Sequence, residues 1–303
     1  MNTESGMPRA TTRLAQLSVI RLLVLGLALA ATVIAATIAT RLLVPAAPTP
    51  LHDWVLLKNA ILPLLLLAVY ARTVHLLEHR RASELAGSPG IALFAAGLIG
   101  GVAVISGYVL VLSLAGVAHV AGGVTSNRLL GLSNEFLVPW LTAVGEELVF
   151  RAVLFRISEE MFGTAAAIAI SAGLFGLSHA ANPGANPVAL VMLALGMGGL
   201  LALAFTATRN LWLPIGLHMG WNIAEGFLYG LPNSGMTDPL QLARTSISGS
   251  LAVTGGEFGP EASVVLVVLS FLISAILLWI TLRAHRWTPV RFRLRQPVQS
   301  RWC

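Results

Sequence analysis

Long apolar runs separated by short polar turns dominate the chain and predict a bundle of membrane helices. Eight runs are helix-like, at about residues 22–44, 54–74, 91–120, 136–157, 164–180, 187–207, 211–229 and 262–282. A helix rises about 1.5 Å per residue, so roughly 20 apolar residues cross the hydrocarbon core of a bilayer. The pattern therefore predicts an all-α polytopic membrane protein with about eight transmembrane helices.

The composition agrees with this class and changes how the net charge is interpreted. Hydrophobic residues make up 56% of the chain and charged residues 11%, whereas soluble domains carry about 25% charged residues. The formal charge of +6 does not indicate nucleic acid, because arginines at helix ends and in the tail set orientation and contact anionic lipid. The only cysteine, Cys303, excludes an internal disulfide and a thiolate metal site. The alanine and arginine richness, with Lys58 as the only lysine, suggests a GC-rich bacterial genome and hence a bacterial plasma membrane.

The distribution of positive charge predicts the orientation of the bundle. The basic head, the 72–81 loop and the arginine-rich tail fall on one side of an eight-helix arrangement, so the positive-inside rule makes both termini cytoplasmic. The segment Arg80–Leu85 is interpreted as an ordinary cytoplasmic loop or as the lining of an entrance. We divide the chain into residues 1–80 with the first two membrane helices, a core over 81–285, and a basic cytoplasmic tail over 286–303. The first run is nearer twenty residues than the 7–15 of a signal-peptide core, which favours a retained helix.

Three ionisable residues interrupt the fourth apolar run. They are Glu146, Glu147 and Arg151, and each costs roughly 2.5 to 3.5 kcal/mol at the centre of a membrane helix. Glu147 and Arg151 are four residues apart and can form an intrahelical ion pair, which gives them a structural role. Glu146 points about 100° away from Glu147 and has no cation at helical spacing. Glu146 is therefore the candidate functional residue.

Two further runs carry polar side chains at similar depth. His179 lies near the end of the fifth helix, and His218 and Asn222 lie one turn apart in the seventh. Counting about 1.5 Å per residue puts Glu146 and Asn222 near mid-bilayer, so these side chains could converge if the helices tilt. Each also has a purely structural interpretation. His179 could bond a carbonyl in a helix contact, and His218 with Asn222 could join two helices at about 0.6 to 2 kcal/mol.

Together these side chains supply the parts for hydrolysis of an amide bond. A carboxylate in a low-dielectric site becomes a usable general base near neutral pH, and a neighbouring histidine can help to hold a water. A second histidine and an amide can donate hydrogen bonds to a developing oxyanion. Glu146, His179 and His218 could instead ligate zinc with an open fourth position. The residues alone leave open whether the site needs no cofactor or holds zinc. The chain lacks His-Glu-x-x-His, Gly-x-Ser-Gly and Gly-x-Gly-Asp.

The polar motifs resemble those of the CPBP family of intramembrane proteases, also called the Abi or CAAX-protease family. The family's Glu-Glu-x-x-x-Arg, Phe-x-x-x-His and His-x-x-x-Asn are read here as Glu146 to Arg151, Phe175 to His179, and His218 to Asn222. The stretch 253–261 also resembles a feature of bacterial members. The resemblance covers about residues 80–285 and departs at Ala152, where many members have glycine.

The resemblance implies roles for the motif residues and a substrate class. Glu146 would be the general base, His179 its partner on the water, His218 and Asn222 the oxyanion donors, and Glu147 with Arg151 the support. The expected partners are a membrane-associated peptide or protein substrate and the bilayer, with no nucleic acid. Eukaryotic members cleave prenylated proteins, which need not hold in a bacterium.

Two other functions are compatible with the same residues. A non-catalytic immunity or peptide-binding protein could keep the site as a pocket. A proton-coupled transporter could use Glu146 and the histidines as a relay, although no internal repeat supports this alternative.

Overall fold

The chain folds into a bundle of helical rods. A computed structural model describes residues 17–43, 50–87, 89–122, 132–237 and 240–290. Within these ranges eight rods are present: α1 (Ser18–Leu43), α2 (Pro50–Glu78), α3 (Gly90–Leu114), α4 (134–162), α5 (Thr164–Ser178), α6 (Pro187–Thr208), α7 (212–228) and α8 (Val264–Arg283). Among the described residues, α1, α2, α3, α6 and α8 are long and apolar enough to cross a membrane by length and composition. The protein is an all-α integral membrane protein, and the number of spans and the side of the termini stay predictions.

Some of the predicted features lie outside the described residues. They are Arg9 and Arg13 of the head, most of the proline-rich loop near 45–50, Arg128, Cys303 and the tail beyond residue 290. The domain limits at residues 80 and 285 also remain predictions.

Three rods contain a π-helical segment. These segments are Leu148–Phe155 in α4, Ala194–Gly198 in α6 and Ile223–Leu228 in α7. Such bulges are rare in helices and occur frequently at functional sites. The first begins directly after Glu147 and includes Arg151, and the third begins directly after Asn222, so a locally widened helix overlaps one motif and follows another.

The predicted C-terminal boundary of the third helix was wrong. The run 91–120 is not one helix: α3 ends at Leu114, and Gly116 adopts a positive φ of 72° that only glycine takes readily. Ala118–Gly122 then forms strand β1, which pairs antiparallel with strand β2 (Ala243–Ile247), Ala118 opposite Ile247. The remaining short elements are the turns Ser83–Leu85, Leu251–Thr254 and Pro260–Ala262.

Glycines bring α3 and α7 into backbone contact. Both helices carry two glycines four residues apart, Gly97 with Gly101 and Gly216 with Gly220. A Cβ on Gly101 would lie 2.2 Å from the Leu217 carbonyl oxygen, and one on Gly220 would lie 2.1 Å from the Leu98 oxygen. Small residues at this spacing allow membrane helices to approach closely. The contact fixes the face of α7 that carries His218 and Asn222.

A buried ion cluster joins α1, α2 and α4 at one end of the bundle. Its members are Arg21, Glu78, Arg80, Glu84, Arg156 and Glu160. Arg156 is fully buried and contacts Glu78 at 2.6 Å. Charges in such a setting are stable only when they are paired and hydrogen-bonded.

The ion cluster also changes the interpretation of the segment Arg80–Leu85. Glu84 is fully buried and accepts hydrogen bonds from the Arg80 guanidinium at 2.8 and 2.9 Å. Burial alone would raise the pKa of the Glu84 carboxyl, but the hydrogen bonds and charge of Arg80 hold it below its usual value. The segment is therefore not an ordinary exposed loop, because Glu84 anchors it in the ion cluster, and its cytoplasmic side stays a prediction. α2 extends to Glu78 rather than to Val74.

The contact between α3 and α7 is testable with two glycines of the same helix. Gly101→Ala should lower the free energy of unfolding by at least about 1–3 kcal/mol, because the methyl group meets backbone atoms that cannot move aside. Gly107 has no atom within 4 Å of an added Cβ, so Gly107→Ala should be neutral or stabilising by about 0.5–1 kcal/mol. Thermal unfolding of both variants in detergent measures the difference. Equal stability would contradict the close approach.

Candidate active site

The predicted catalytic residues meet in one cavity of about 520 Å³. Glu146, His179, His218 and Asn222 all line it. The cavity lies toward the end of the bundle opposite the ion cluster, since its lining takes the first half of α4 and the start of α2. Glu147 and Arg151 are not among the lining residues and are fully buried. The structure thus brings the four separate positions together, as the depth argument required.

Glu147 holds the three motifs in place. Its Oε1 accepts a hydrogen bond from Arg151 Nη1 at 2.8 Å, which is the predicted intrahelical pair. The same oxygen accepts from His218 Nδ1 at 3.0 Å, a contact that helical spacing could not reveal. Arg151 Nη2 donates to the Gly198 carbonyl at 3.1 Å, and the guanidinium lies 4.7 Å from the Phe175 ring centroid. One buried carboxylate therefore connects α4 with α7, and its arginine contacts α5 and α6.

Glu146 faces the cavity on the other side of the helix. Its side chain is 29% exposed, and its buried Oε2 has no hydrogen-bond partner among the described residues. The nearest positively chargeable atom is His218 Nε2 at 3.9 Å, which is beyond hydrogen-bond distance. The Glu146 carboxylate thus lines the cavity without a hydrogen-bond partner among the described residues.

The partners of the two histidines assign their tautomers. His179 directly follows α5, and its Nδ1 lies 2.9 Å from the Phe175 carbonyl oxygen. A carbonyl only accepts hydrogen bonds, so Nδ1 carries a proton and Nε2 of the neutral ring is an acceptor. His218 likewise uses Nδ1–H on Glu147. Its Nε2 is an acceptor in the neutral ring and a donor only in the imidazolium form.

Asn222 completes the predicted set and has no fixed partner. It is 7% exposed and lines the cavity, and its side chain makes no hydrogen bond with any other described residue. Its amide protons are therefore free for a group in the cavity. The interpretation of His218 and Asn222 as a pair joining helices applies to His218 alone, through Glu147.

The sequence analysis missed several cavity residues. Glu261 is 3% exposed and accepts a hydrogen bond from Ser234 Oγ at 2.5 Å, while Asn182 Nδ2 donates to the Ser234 carbonyl. Burial raises the pKa of the Glu261 carboxyl above its usual value, against the lowering effect of the Ser234 hydrogen bond. The stretch 253–261 was noted for its resemblance, but nothing in it marked Glu261 as a cavity residue. Asn59 of α2 was likewise missed, although a polar residue in an apolar run is a signal that could have found it.

The arrangement does not match a preformed zinc site. Within the described parts of the chain, no three His, Cys, Asp or Glu side chains are grouped so that they could hold a metal ion. The predicted ligands Glu146, His179 and His218 share the cavity, but they do not form such a group. The proposed hydrolysis therefore uses these side chains without a metal.

The comparisons with known proteins agree with the motifs. Residues 128–224 match a protein-family model described as type II CAAX prenyl endopeptidase Rce1-like. Neither the search of curated proteins nor that of solved structures gave a match. The matched range contains all three polar motifs, in the order and on the rods described above. This part of the chain is accordingly similar to the CAAX-protease family, which agrees with the resemblance of the three motifs.

Proposed function

We propose that this protein hydrolyses peptide bonds of membrane-associated substrates with Glu146 as the general base. The observation that carries the proposal is that Glu146, whose Oε2 has no partner among the described residues, lines a cavity together with both histidines and Asn222. The membrane-protease class follows from the family. The residue roles and the absence of a metal requirement are our proposals.

The first step is attack of water on the scissile carbonyl carbon. Glu146 accepts one proton of the water, and His179 Nε2 accepts a hydrogen bond from the other O–H. As the new C–O bond forms, the carbonyl electrons move onto oxygen. The Phe175 carbonyl supports this step because it keeps the His179 proton on Nδ1 and the Nε2 lone pair free.

The resulting oxyanion needs hydrogen-bond donors placed in advance. The Asn222 amide is one, and His218 Nε2–H is the other when the ring is protonated. The Glu147 carboxylate stabilises that imidazolium through Nδ1–H. When the C–N bond breaks, protonated Glu146 returns its proton to the leaving nitrogen, which yields a carboxylic acid and an amine.

The position of the cavity indicates the side of the membrane from which a substrate reaches Glu146. The ion cluster lies at the opposite end of the bundle, and positive-inside orientation makes that end cytoplasmic. We therefore propose that substrates reach Glu146 from the non-cytoplasmic half of the membrane. This access route argues against assuming a cytoplasmic prenylated protein.

Substitution of Glu146 should lower activity, whereas substitution of the adjacent Glu147 should lower stability. Glu146→Gln should lower the turnover rate about 10²–10⁴-fold, as expected for loss of a general base, with unfolding free energy within about 1 kcal/mol of wild type. Glu147→Gln should cost about 3–5 kcal/mol, because it leaves Arg151 buried without its carboxylate. The assays are thermal unfolding and cleavage of dye-quenched casein and of a farnesylated peptide ending in Cys-aliphatic-aliphatic-X.

Different results in the same experiment favour the other functions. Full activity of Glu146→Gln would exclude its role as the base. A protein that binds both probes but cleaves neither would be the non-catalytic binding protein. Proton flux through reconstituted vesicles that depends on Glu146 would support the transporter.

Metal dependence has its own test. Treatment of the purified enzyme with EDTA or 1,10-phenanthroline should leave casein cleavage unchanged, and elemental analysis should find far less than one zinc per chain. Loss of activity that added zinc restores would instead assign Glu146, His179 and His218 as ligands.

A further inference from the structure

Asn59 is a polar side chain of α2, next to Lys58, without a visible structural role. It is 4% exposed and lines the same cavity as Glu146. Its side chain makes no hydrogen bond with any other residue that the structure describes. A polar side chain on a membrane helix is costly, and it usually has a partner or a function. The position is therefore poorly explained as a packing contact.

Among the described residues, the asparagine side chains without a hydrogen bond lie in the cavity, although Asn182 of the cavity donates to the Ser234 carbonyl. Asn186 caps the start of α6 through Oδ1, and Asn210 donates to the Ala86 carbonyl at 3.0 Å, so amides away from the cavity have partners. In the cavity, Asn134 Oδ1 is buried without a partner in the described structure, and the side chains of Asn222 and Asn59 line the cavity without a hydrogen bond to any described residue. The free carboxamides are thus found where a ligand would lie.

The chemistry of these groups indicates the ligand. A carboxamide offers N–H donors and a carbonyl acceptor, which complements the N–H and C=O of a peptide group. A peptide segment opened for cleavage loses its helical hydrogen bonds, and its backbone must find new partners in a dry environment. Val55, one turn before Asn59, lines the cavity as well and offers apolar contact to a side chain.

We propose that Asn59 is a substrate-binding residue whose carboxamide hydrogen-bonds the backbone of an extended peptide segment beside Glu146. The inference rests on the proposed function, because it takes the occupant of the cavity to be a peptide. Asn59 holds the substrate and takes no part in proton transfer. It lies outside residues 128–224, so the family match does not assign it.

The test compares Asn59→Leu with wild type for cleavage of dye-quenched casein. One hydrogen bond is worth about 0.5–1.5 kcal/mol, so KM should rise about 2- to 10-fold while kcat stays within about 2-fold. The melting temperature should be unchanged or higher, because leucine removes an unpartnered buried amide. Asn59→Gln keeps the carboxamide and should recover part of the affinity. Leu64→Ala, on the exposed face of the same helix, should leave KM unchanged.

A binding measurement separates this inference from the proposed function. Glu146→Gln protein should bind dye-labelled casein, and the double variant with Asn59→Leu should bind it about 10-fold more weakly. Binding without an effect of Asn59→Leu overturns the subsite alone, as does a fall in melting temperature with unchanged KM. Weaker binding of the farnesylated peptide but not of casein overturns the backbone assignment. No binding and no cleavage of either probe overturns the proposed function and the subsite together.

Discussion

The site depends on one buried carboxylate that serves two partners. Glu147 Oε1 accepts hydrogen bonds from Arg151 and from His218, and all three side chains lie within 3% exposure. None of them is stable alone in a low-dielectric interior, because a buried charge without its partner is strongly destabilising. Their mutual requirement fixes α7 against α4. It also fixes which nitrogen of His218 faces the cavity, and this determines what His218 can donate.

Two further constraints keep the rods from relaxing around this carboxylate. On one side, the glycines of α3 and α7 place the two backbones in direct contact. At the far end, the ion cluster ties α1 and α2 to the second half of α4. The cavity lies between these rigid contacts. Preorganised polar groups in such a setting act on a transition state without first having to reorient.

The residues that meet in the cavity were more predictable from the sequence than the contacts made by the loops. Polar residues in apolar runs are costly, so Glu146, His179, His218 and Asn222 were visible as anomalies, and helical spacing alone paired Glu147 with Arg151. The β1–β2 pair was not predictable, because its strands are distant in sequence and neither carries a strong alternation. Glu261 was hidden for a related reason. Its partner Ser234 and its cavity are defined only by how loops meet. The burial of Glu84 likewise depends on Arg80 and Tyr70, which fold over it only in three dimensions.

The division of the cavity between family core and flanking segments has a consequence for specificity. Residues 128–224 contain every group assigned to bond cleavage. Val55, Asn59, Ser234 and Glu261 also line the cavity and lie outside that range. Groups that contact a substrate away from the reacting bond set which substrates bind, while the groups at the bond set the reaction. Differences in α2 and in the loops before α8 can therefore change the substrate and leave the hydrolytic chemistry of the core intact.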